Sequence, residues 1–166
     1  MDPALSVRSA TINDAEAIRS IYNREVTGST VTFDLVPRNL DEQVEWIDEH
    51  SGAHPAIVGA DDAGEVVGFG SLSPFKDRPA YSPTVEDSVY VHPDRRGQGI
   101  GRLLLDELLR LAMDHGFHSV VARIVGNHEA SIALHLGCGF ALVGTEREVG
   151  RKFGRWLDVV EMQKML

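Results

Sequence analysis

Cysteine is almost missing from this chain, whose 166 residues contain only Cys138. One cysteine cannot form an internal disulfide, and it excludes the paired thiols of a CxxC zinc or redox motif. Cys138 lies in an apolar stretch, which favours burial in the core over a role as a nucleophile. We therefore expect neither a disulfide framework nor a thiolate metal site.

Long apolar runs are missing as well. No run approaches the roughly 20 apolar residues that span a bilayer, and residues 1–10 lack the basic and apolar regions of a signal peptide. The sequence therefore predicts a cytoplasmic protein without a membrane partner.

Positive charge is scarce: 16 Lys and Arg residues face 25 Asp and Glu residues, so the formal net charge is −9. The overall electrostatic field of such a protein does not attract phosphate backbones, and we expect no nucleic-acid partner.

The hydrophobic share of 43% and the charged share of 25% are ordinary for a globular protein. Neither a repeat nor a linker-like segment divides the chain, so a single domain over residues 1–166 is predicted.

The spacing of apolar residues alternates between the periods of strands and of helices. Strands are predicted near residues 7–11, 56–60, 66–72, 85–91, 120–125, 141–149 and 156–162, with an extended arm at 31–37. Helices are predicted near residues 14–25, 40–52, 100–115 and 130–136. This mixed order indicates an α+β fold in which helices cover the faces of a sheet.

A glycine-rich turn at residues 97–101 joins a predicted strand to a predicted helix. Its three glycines in five residues let the backbone approach a ligand closely, and the free N–H groups and dipole of a helix N-terminus suit a pyrophosphate. The spacing matches neither the Gly-x-Gly-x-x-Gly dinucleotide fingerprint nor a Walker motif with its lysine. The alternative interpretation is a tight turn without a ligand.

Residues 96–101, which read Arg-Gly-Gln-Gly-Ile-Gly, resemble the (Gln/Arg)-x-x-Gly-x-(Gly/Ala) signature of the GNAT acetyltransferase superfamily, where this turn holds the pyrophosphate of CoA. Residues 127–140 are similar to the second CoA-binding segment of that superfamily, with His128 where Asn is usual. The resemblance implies a GNAT fold, a sandwich-like α+β arrangement with a mixed, splayed sheet flanked by helices. It also implies acetyl-CoA as co-substrate and no metal.

The CoA-binding residues implied by this resemblance lie in three groups. The pantetheine arm would pair with the backbone of a strand, the pyrophosphate would lie on the turn, and the second segment would complete the site. These residues are Val89, Tyr90, Val91, Arg96, Gly97, Gln98, Gly99, Ile100, Gly101, Arg102, Asn127 and His128.

Residues 29–33, 76–86 and 150–159 look like segments of the branch that N-acetylates phosphinothricin, methionine sulfone and methionine sulfoximine. The resemblance therefore implies direct acetyl transfer to the α-amine of a small, amino-acid-like substrate. It also implies a homodimer, and Phe153 and Trp156 are predicted to pack either in the core or at its interface. The sequence does not select among these substrates and an unrelated natural amine, because they differ by only a few atoms.

Glu86 and His135 match the positions that this branch uses for its proposed bases. A substrate α-amine is largely protonated near neutral pH, and only its free lone pair can attack a thioester, so a carboxylate or an imidazole must accept a proton. The sequence leaves open which of the two is the base. His135 could instead protonate the departing thiolate, and the plainer alternatives are a strand carboxylate and a packed histidine.

Lys76 and Arg78 can present cations to an acidic group of the substrate. Arginine in particular offers the two-pronged geometry that a carboxylate or phosphinate accepts. The alternative interpretation is a pair of solvated loop charges. Thr30, Phe33 and Tyr81 would line the rest of the substrate pocket.

Two other functions stay open from the sequence. A GNAT-like domain could bind acetyl-CoA as a sensor without turnover, although Glu86 and His135 argue against it. A protein N-terminal or lysine acetyltransferase would need an open groove instead of a small capped pocket.

Overall fold

The computed structural model describes residues 4–166, which form seven strands and four α-helices. In chain order these are β1 (Ser6–Ser9), α1 (Ala15–Gly28), α2 (Leu40–Glu49), β2 (Ala56–Ala60), β3 (Val66–Pro74), β4 (Thr84–Val91), α3 (Ile100–Asp114), β5 (Ser119–Val125), α4 (Glu129–Gly137), β6 (Ala141–Lys152) and β7 (Arg155–Met165). The α+β order read from the sequence is confirmed. The prediction that residues 1–10 lack signal-peptide features falls partly outside the described chain, because residues 1–3 are not among the described residues.

Local capping sets the ends of the helices near the predicted positions. At the start of α2, Asn39 Oδ1 accepts a hydrogen bond from the backbone N–H of Glu42 at 2.9 Å, and Glu42 Oε2 accepts one from the N–H of Asn39 at 2.8 Å. This reciprocal pair is a capping box. After α3, Gly116 adopts a left-handed φ of 80°, which glycine tolerates and which ends a helix.

The extended arm predicted at residues 31–37 is only partly right. The segment joins no strand within the described residues and runs irregularly between α1 and α2. The Tyr22 hydroxyl of α1 forms hydrogen bonds with Thr32 Oγ1 at 3.0 Å and with the Asp34 carboxylate. These side-chain contacts hold the segment against α1, so it needs no partner strand.

Across residues 4–166 the strands form one mixed sheet in the order β1-β2-β3-β4-β5-β7-β6. Neighbouring strands are antiparallel except β4 and β5, which run parallel. In the described chain this parallel pairing joins only residues 84–86 to residues 119–121, although both strands continue. β4 and β5 therefore diverge after Glu86 and open a gap within the sheet.

Helices cover both faces of this sheet. α3 and α4 pack on one face, where Leu104 and Leu108 are fully buried, and α1 and α2 pack on the other face against Phe69. α3 lies close to β3 because Gly68 has no side chain: a Cβ there would be 3.1 Å from Leu104 Cδ1. Burial of each large apolar side chain contributes roughly 1.5–3 kcal/mol, and this packing fixes the N-terminus of α3 beside the gap.

The exposure of individual side chains corrects some of the sequence-based predictions. Cys138 is buried, as predicted. Leu103 of α3 is 40% exposed although it lies within the apolar periodicity of the helix, because α3 turns Leu105 toward the core instead. Phe153 and Trp156 are each 59% exposed. A core position is therefore wrong for both aromatics, which lie at the outer β6–β7 hairpin.

None of the helices within residues 4–166 is long and apolar enough to cross a bilayer. In the same part of the chain, no cluster of three or more His, Cys, Asp or Glu residues could hold a metal ion. The cytoplasmic location stays a prediction from the sequence.

Candidate active site

A cleft of about 380 Å³ occupies the gap between β4 and β5. Its walls are β4, β5, the turn before α3 and the first part of α4, with Glu25 of α1 at its edge. Gln98 and Asn127 do not belong to its lining in the described chain. The other residues predicted to bind CoA all line it: Val89, Tyr90, Val91, Arg96, Gly97, Gly99, Ile100, Gly101, Arg102 and His128.

The turn before α3 forms one end of the cleft. Gly97 and Gly99 have φ values of 75° and 81°, a left-handed conformation that other residues rarely adopt. Gly99 is the N-cap of α3 and brings no side chain to cap the first turn, so the first N–H groups of the helix are free to bind an anion. Gly101 has a packing role instead, since a Cβ there would lie 3.3 Å from Leu134 of α4.

The arginines near this turn have carboxylate partners that orient them. Arg102 Nε lies 2.9 Å from Asp106 Oδ2 on the exposed side of α3. Arg96 pairs with Glu25, which is buried in α1. The second pair connects two walls of the cleft, so an anion bound on the turn would compete with Glu25 for Arg96.

The backbone of β4 is open on the side that faces the cleft. Val89 and Tyr90 pair with Gly70 and Phe69 of β3 along one edge, whereas pairing with β5 ends at Glu86. The backbone N–H and C=O groups of the other edge can therefore pair with an extended ligand, as an added strand would. The Tyr90 ring stacks on Phe69 with centroids 5.1 Å apart, which fixes this part of β4.

A buried histidine–carboxylate pair lies in the wall of the cleft. His135 Nε2 is 2.8 Å from Asp87 Oδ2, and the side chains are 5% and 1% exposed. His135 Nδ1 is 2.7 Å from the carbonyl oxygen of Ser131. Burial lowers the pKa of His135, but the hydrogen bond and charge of Asp87 and the Ser131 carbonyl outweigh it, so the pKa is raised. No motif in the sequence points to Asp87, which strand alternation alone places on the face opposite Glu86.

Glu86 lies on the other face of β4, because successive side chains of a strand point to opposite faces. It is half-buried, and in the described chain it does not belong to the lining of the cleft. Burial raises the pKa of Glu86; the charge of Arg123 lowers it, and the charges of Asp87 and Glu161 raise it, so the pKa lies above its usual range. Arg123 itself lines the cleft. Of the two predicted catalytic residues, His135 is thus in the wall and Glu86 is beside it.

Two of the predicted substrate residues lie together after β3. The rings of Phe75 and Tyr81 meet edge-on with centroids 5.7 Å apart, and Lys76 Nζ lies 4.8 Å and 5.2 Å from the centres of these rings. Arg78 is exposed in the same segment. Within residues 4–166, none of the three predicted residues lines the cleft.

Thr30 and Phe33 lie elsewhere, in the loop after α1. The Phe33 ring rests on the backbone of β6, where a Cβ at Gly150 would overlap it. Lys152 is only 3% exposed, and its Nζ donates a hydrogen bond to the carbonyl oxygen of Thr32 at 2.8 Å. In the described chain, no hydrogen bond or ring contact joins Phe33 to the group after β3. The structure therefore does not gather the five predicted substrate residues into one contact cluster. Lys152 lies in the branch-like segment 150–159, but nothing in the sequence indicates its burial against the loop after α1.

Comparison with known proteins identifies the family. The acetyltransferase (GNAT) family matches residues 15–140. The chain belongs to the GNAT family. The resemblance read from the sequence, the GNAT fold and the enzyme class of acetyltransferase are all confirmed.

This GNAT acetyltransferase has similar relatives among characterised and solved proteins. An L-methionine sulfoximine/L-methionine sulfone acetyltransferase of Pseudomonas aeruginosa is 40% identical over 159 residues, which cover 95% of this chain and 92% of the relative. A phosphinothricin N-acetyltransferase of Streptomyces coelicolor is 37% identical over 165 residues, covering 98% and 96%. The crystal structure of a phosphinothricin acetyltransferase from Sinorhizobium meliloti in complex with AcCoA matches with a TM-score of 0.94 and 38% identity, covering 100% of this chain and 89% of that one.

Proposed function

We propose that this GNAT enzyme transfers the acetyl group of acetyl-CoA directly to the α-amine of a small, amino-acid-like substrate such as phosphinothricin, methionine sulfoximine or methionine sulfone. The observation that carries the proposal is the cleft between β4 and β5, which ends at the uncapped N-terminus of α3. The names of the two relatives support the substrate class. The neighbouring structure with AcCoA supports the co-substrate.

The cleft fits acetyl-CoA at both of its ends. Residues 96–102 would hold the pyrophosphate with free backbone N–H groups, the helix dipole and the charges of Arg96 and Arg102. The open edge of β4 at residues 89–91 would pair with the pantetheine arm, and His128 would contact the CoA beside the start of α4. We give Gln98 and Asn127 no direct contact, because neither lines the cleft in the described chain.

The chemistry requires one proton acceptor and one proton donor. The lone pair of the amine forms the new C–N bond, the thioester C–S bond breaks, the amine loses a proton and the thiolate gains one. We assign Glu86 as the base, acting directly or through water, because its raised pKa brings it closer to neutral pH. A backbone N–H on the open edge of β4 can donate to the carbonyl oxygen as negative charge develops there. A protonated His135 would stabilise the thiolate by its charge, and the thiolate would take its proton from water.

Recognition of the substrate falls to two groups of side chains. Lys76 and Arg78 supply cations for an acidic group, with Tyr81 beside them. Thr30 and Phe33 would contact the remainder of the substrate. The exposure of Arg78 supports this role, since its guanidinium is accessible to a carboxylate or phosphinate.

A homodimer is part of the proposal. Val143, Val149, Phe153 and Trp156 on the β6–β7 hairpin are 56%, 51%, 59% and 59% exposed, and several exposed apolar side chains on one hairpin favour a protein contact. We expect sedimentation to give a dimer for the wild-type protein and a shift toward monomer for Trp156→Asp. A monomeric wild-type protein would contradict this part of the proposal.

The function is tested by measuring CoA release with a panel of amines. The panel contains phosphinothricin, methionine sulfone, methionine sulfoximine, other amino acids and short peptides, and mass spectrometry detects the added acetyl group. We expect amine-dependent release with one or more of the amino-acid-like compounds. Tight acetyl-CoA binding without release would indicate a sensor, and acetylation of peptides alone would indicate a protein acetyltransferase.

A further inference from the structure

The ring of His135 has both of its nitrogens occupied by oxygen atoms. Nδ1 lies 2.7 Å from the Ser131 carbonyl oxygen, and Nε2 lies 2.8 Å from Asp87 Oδ2. A carbonyl oxygen only accepts hydrogen bonds, so Nδ1 carries a hydrogen. A second hydrogen must lie between Nε2 and the Asp87 carboxylate, because two bare acceptors at this distance would repel each other. Neither nitrogen therefore has a lone pair free to receive a proton from an amine.

Burial couples the charges of the two side chains. Asp87 and His135 are almost completely buried, and the Phe140 ring covers the imidazole edge-on with centroids 4.9 Å apart. Within the described chain, Asp87 Oδ1 has no hydrogen-bond partner. The carboxylate consequently depends on His135 to compensate its charge, since removing one member of a buried pair leaves the other charge uncompensated.

Other ionisable groups lie near the pair, but Asp87 differs from them in its direct hydrogen bond to the His135 ring. Within residues 4–166, it is the only carboxylate that hydrogen bonds to the His135 ring. Charged or titratable groups near the pair include Glu86 on β4, Arg102 and Asp106 on α3, Arg123 on β5, and His128 and Cys138 at the two ends of α4. Glu25, Tyr90, Arg95 and Arg96 line the same cleft.

We propose that Asp87 is a positioning residue that holds His135 protonated and oriented in the wall of the cleft, and thereby withholds it from base catalysis. The catalytic meaning of this inference rests on the proposed function. Glu86 is then the base, and the positive charge of the His135 ring stabilises the departing thiolate from the wall of the cleft. The thiolate takes its proton from water, so both ring hydrogens stay on the Ser131 carbonyl and the Asp87 carboxylate.

The protonation state is tested by NMR on the free protein, without acetyl-CoA or amine. The titration of each of the seven histidines is followed, and His135→Gln identifies the resonances of His135. We expect the wild-type ring to be protonated at neutral pH and to titrate above the ordinary value of about 6.5. In Asp87→Asn the titration should move to lower pH, because burial then acts without the carboxylate charge. Asp106→Asn, the matched control on α3, should leave it unchanged.

The pH profile of activity gives a second test, because a purely structural role of Asp87 would not shift the limbs of that profile. The alkaline limb of kcat/KM should shift to lower pH in Asp87→Asn by the same amount as the NMR titration, because both report the free enzyme, with kcat/KM falling by up to about tenfold per pH unit between the two limbs. A merely structural Asp87 would instead lower kcat/KM equally at every pH.

A neutral His135 in the wild-type protein at neutral pH would overturn the proposal, and so would an unshifted titration in Asp87→Asn. If Asp87→Asn does not fold, the wild-type titration alone still decides whether the ring is protonated. Because the NMR experiment uses no substrate, its result stands even if the assigned substrate class is wrong.

Discussion

Replacing Glu86 by glutamine tests the proposed chemistry most directly. Glu86→Gln keeps the size and shape of the side chain but removes its ability to accept a proton. A general base contributes about 10²–10⁴ in rate, which corresponds to roughly 2.7–5.5 kcal/mol of transition-state stabilisation. We expect kcat/KM at neutral pH to fall by this factor. Acetyl-CoA affinity should persist, since in the described chain Glu86 does not line the cleft.

The pH dependence of Glu86→Gln gives a second check, measured by steady-state CoA release from neutral to alkaline pH. In the wild-type enzyme, protonation of Glu86 ends base catalysis, so the raised pKa places the acidic limb of kcat/KM above the usual range of a glutamate. The variant should lose this limb. Its residual rate should rise with pH, because a larger share of the amine arrives already deprotonated.

The charges around Glu86 provide controls with opposite signs. The negative charge of Glu161 raises the pKa of Glu86 and the positive charge of Arg123 lowers it. Glu161→Gln should therefore move the acidic limb to lower pH, and Arg123→Gln should move it to higher pH. A Glu86→Gln enzyme with nearly wild-type kcat/KM and an unchanged pH profile would refute the assignment and leave Glu86 as a structural carboxylate.

Three further substitutions test the rest of the site. Gly99→Val should strongly weaken acetyl-CoA binding, because the left-handed φ of 81° strains a valine and its side chain obstructs the turn; unchanged binding by calorimetry in a folded variant would contradict the role of this turn. Arg78→Ala should raise KM for the amino-acid substrate roughly ten- to hundredfold, the effect of losing a charged hydrogen bond, whereas an equal loss of acetyl-CoA affinity would point to general damage. Gly150→Ala should displace the Phe33 ring that a Cβ would overlap and raise KM for the amine more than for acetyl-CoA; equal KM values in variant and wild type would remove Phe33 from the substrate pocket.

Much of the fold follows from local chemistry in the sequence. Apolar periodicity places the helices and strands near their observed bounds, and the capping box at Asn39 and the glycine at Gly116 mark helix ends that the structure contains. The turn at residues 97–101 is recognisable because its signals lie within a few neighbouring residues. Only the core position is wrong for Trp156. Burial of a strand residue depends on whether another layer covers the strand, and apolar periodicity alone does not give that information.

The sequence by itself determined the family, the fold class and the glycine-rich turn before α3, because each is encoded in short segments whose chemistry is local. Only the tertiary structure decided where β4 and β5 part, because pairing that stops after Glu86 depends on contacts between distant strands. It also decided that Asp87 and His135, 48 positions apart, meet at 2.8 Å. Strand alternation and the position of α4 over the sheet produce that contact, and neither residue alone carries a signal of it.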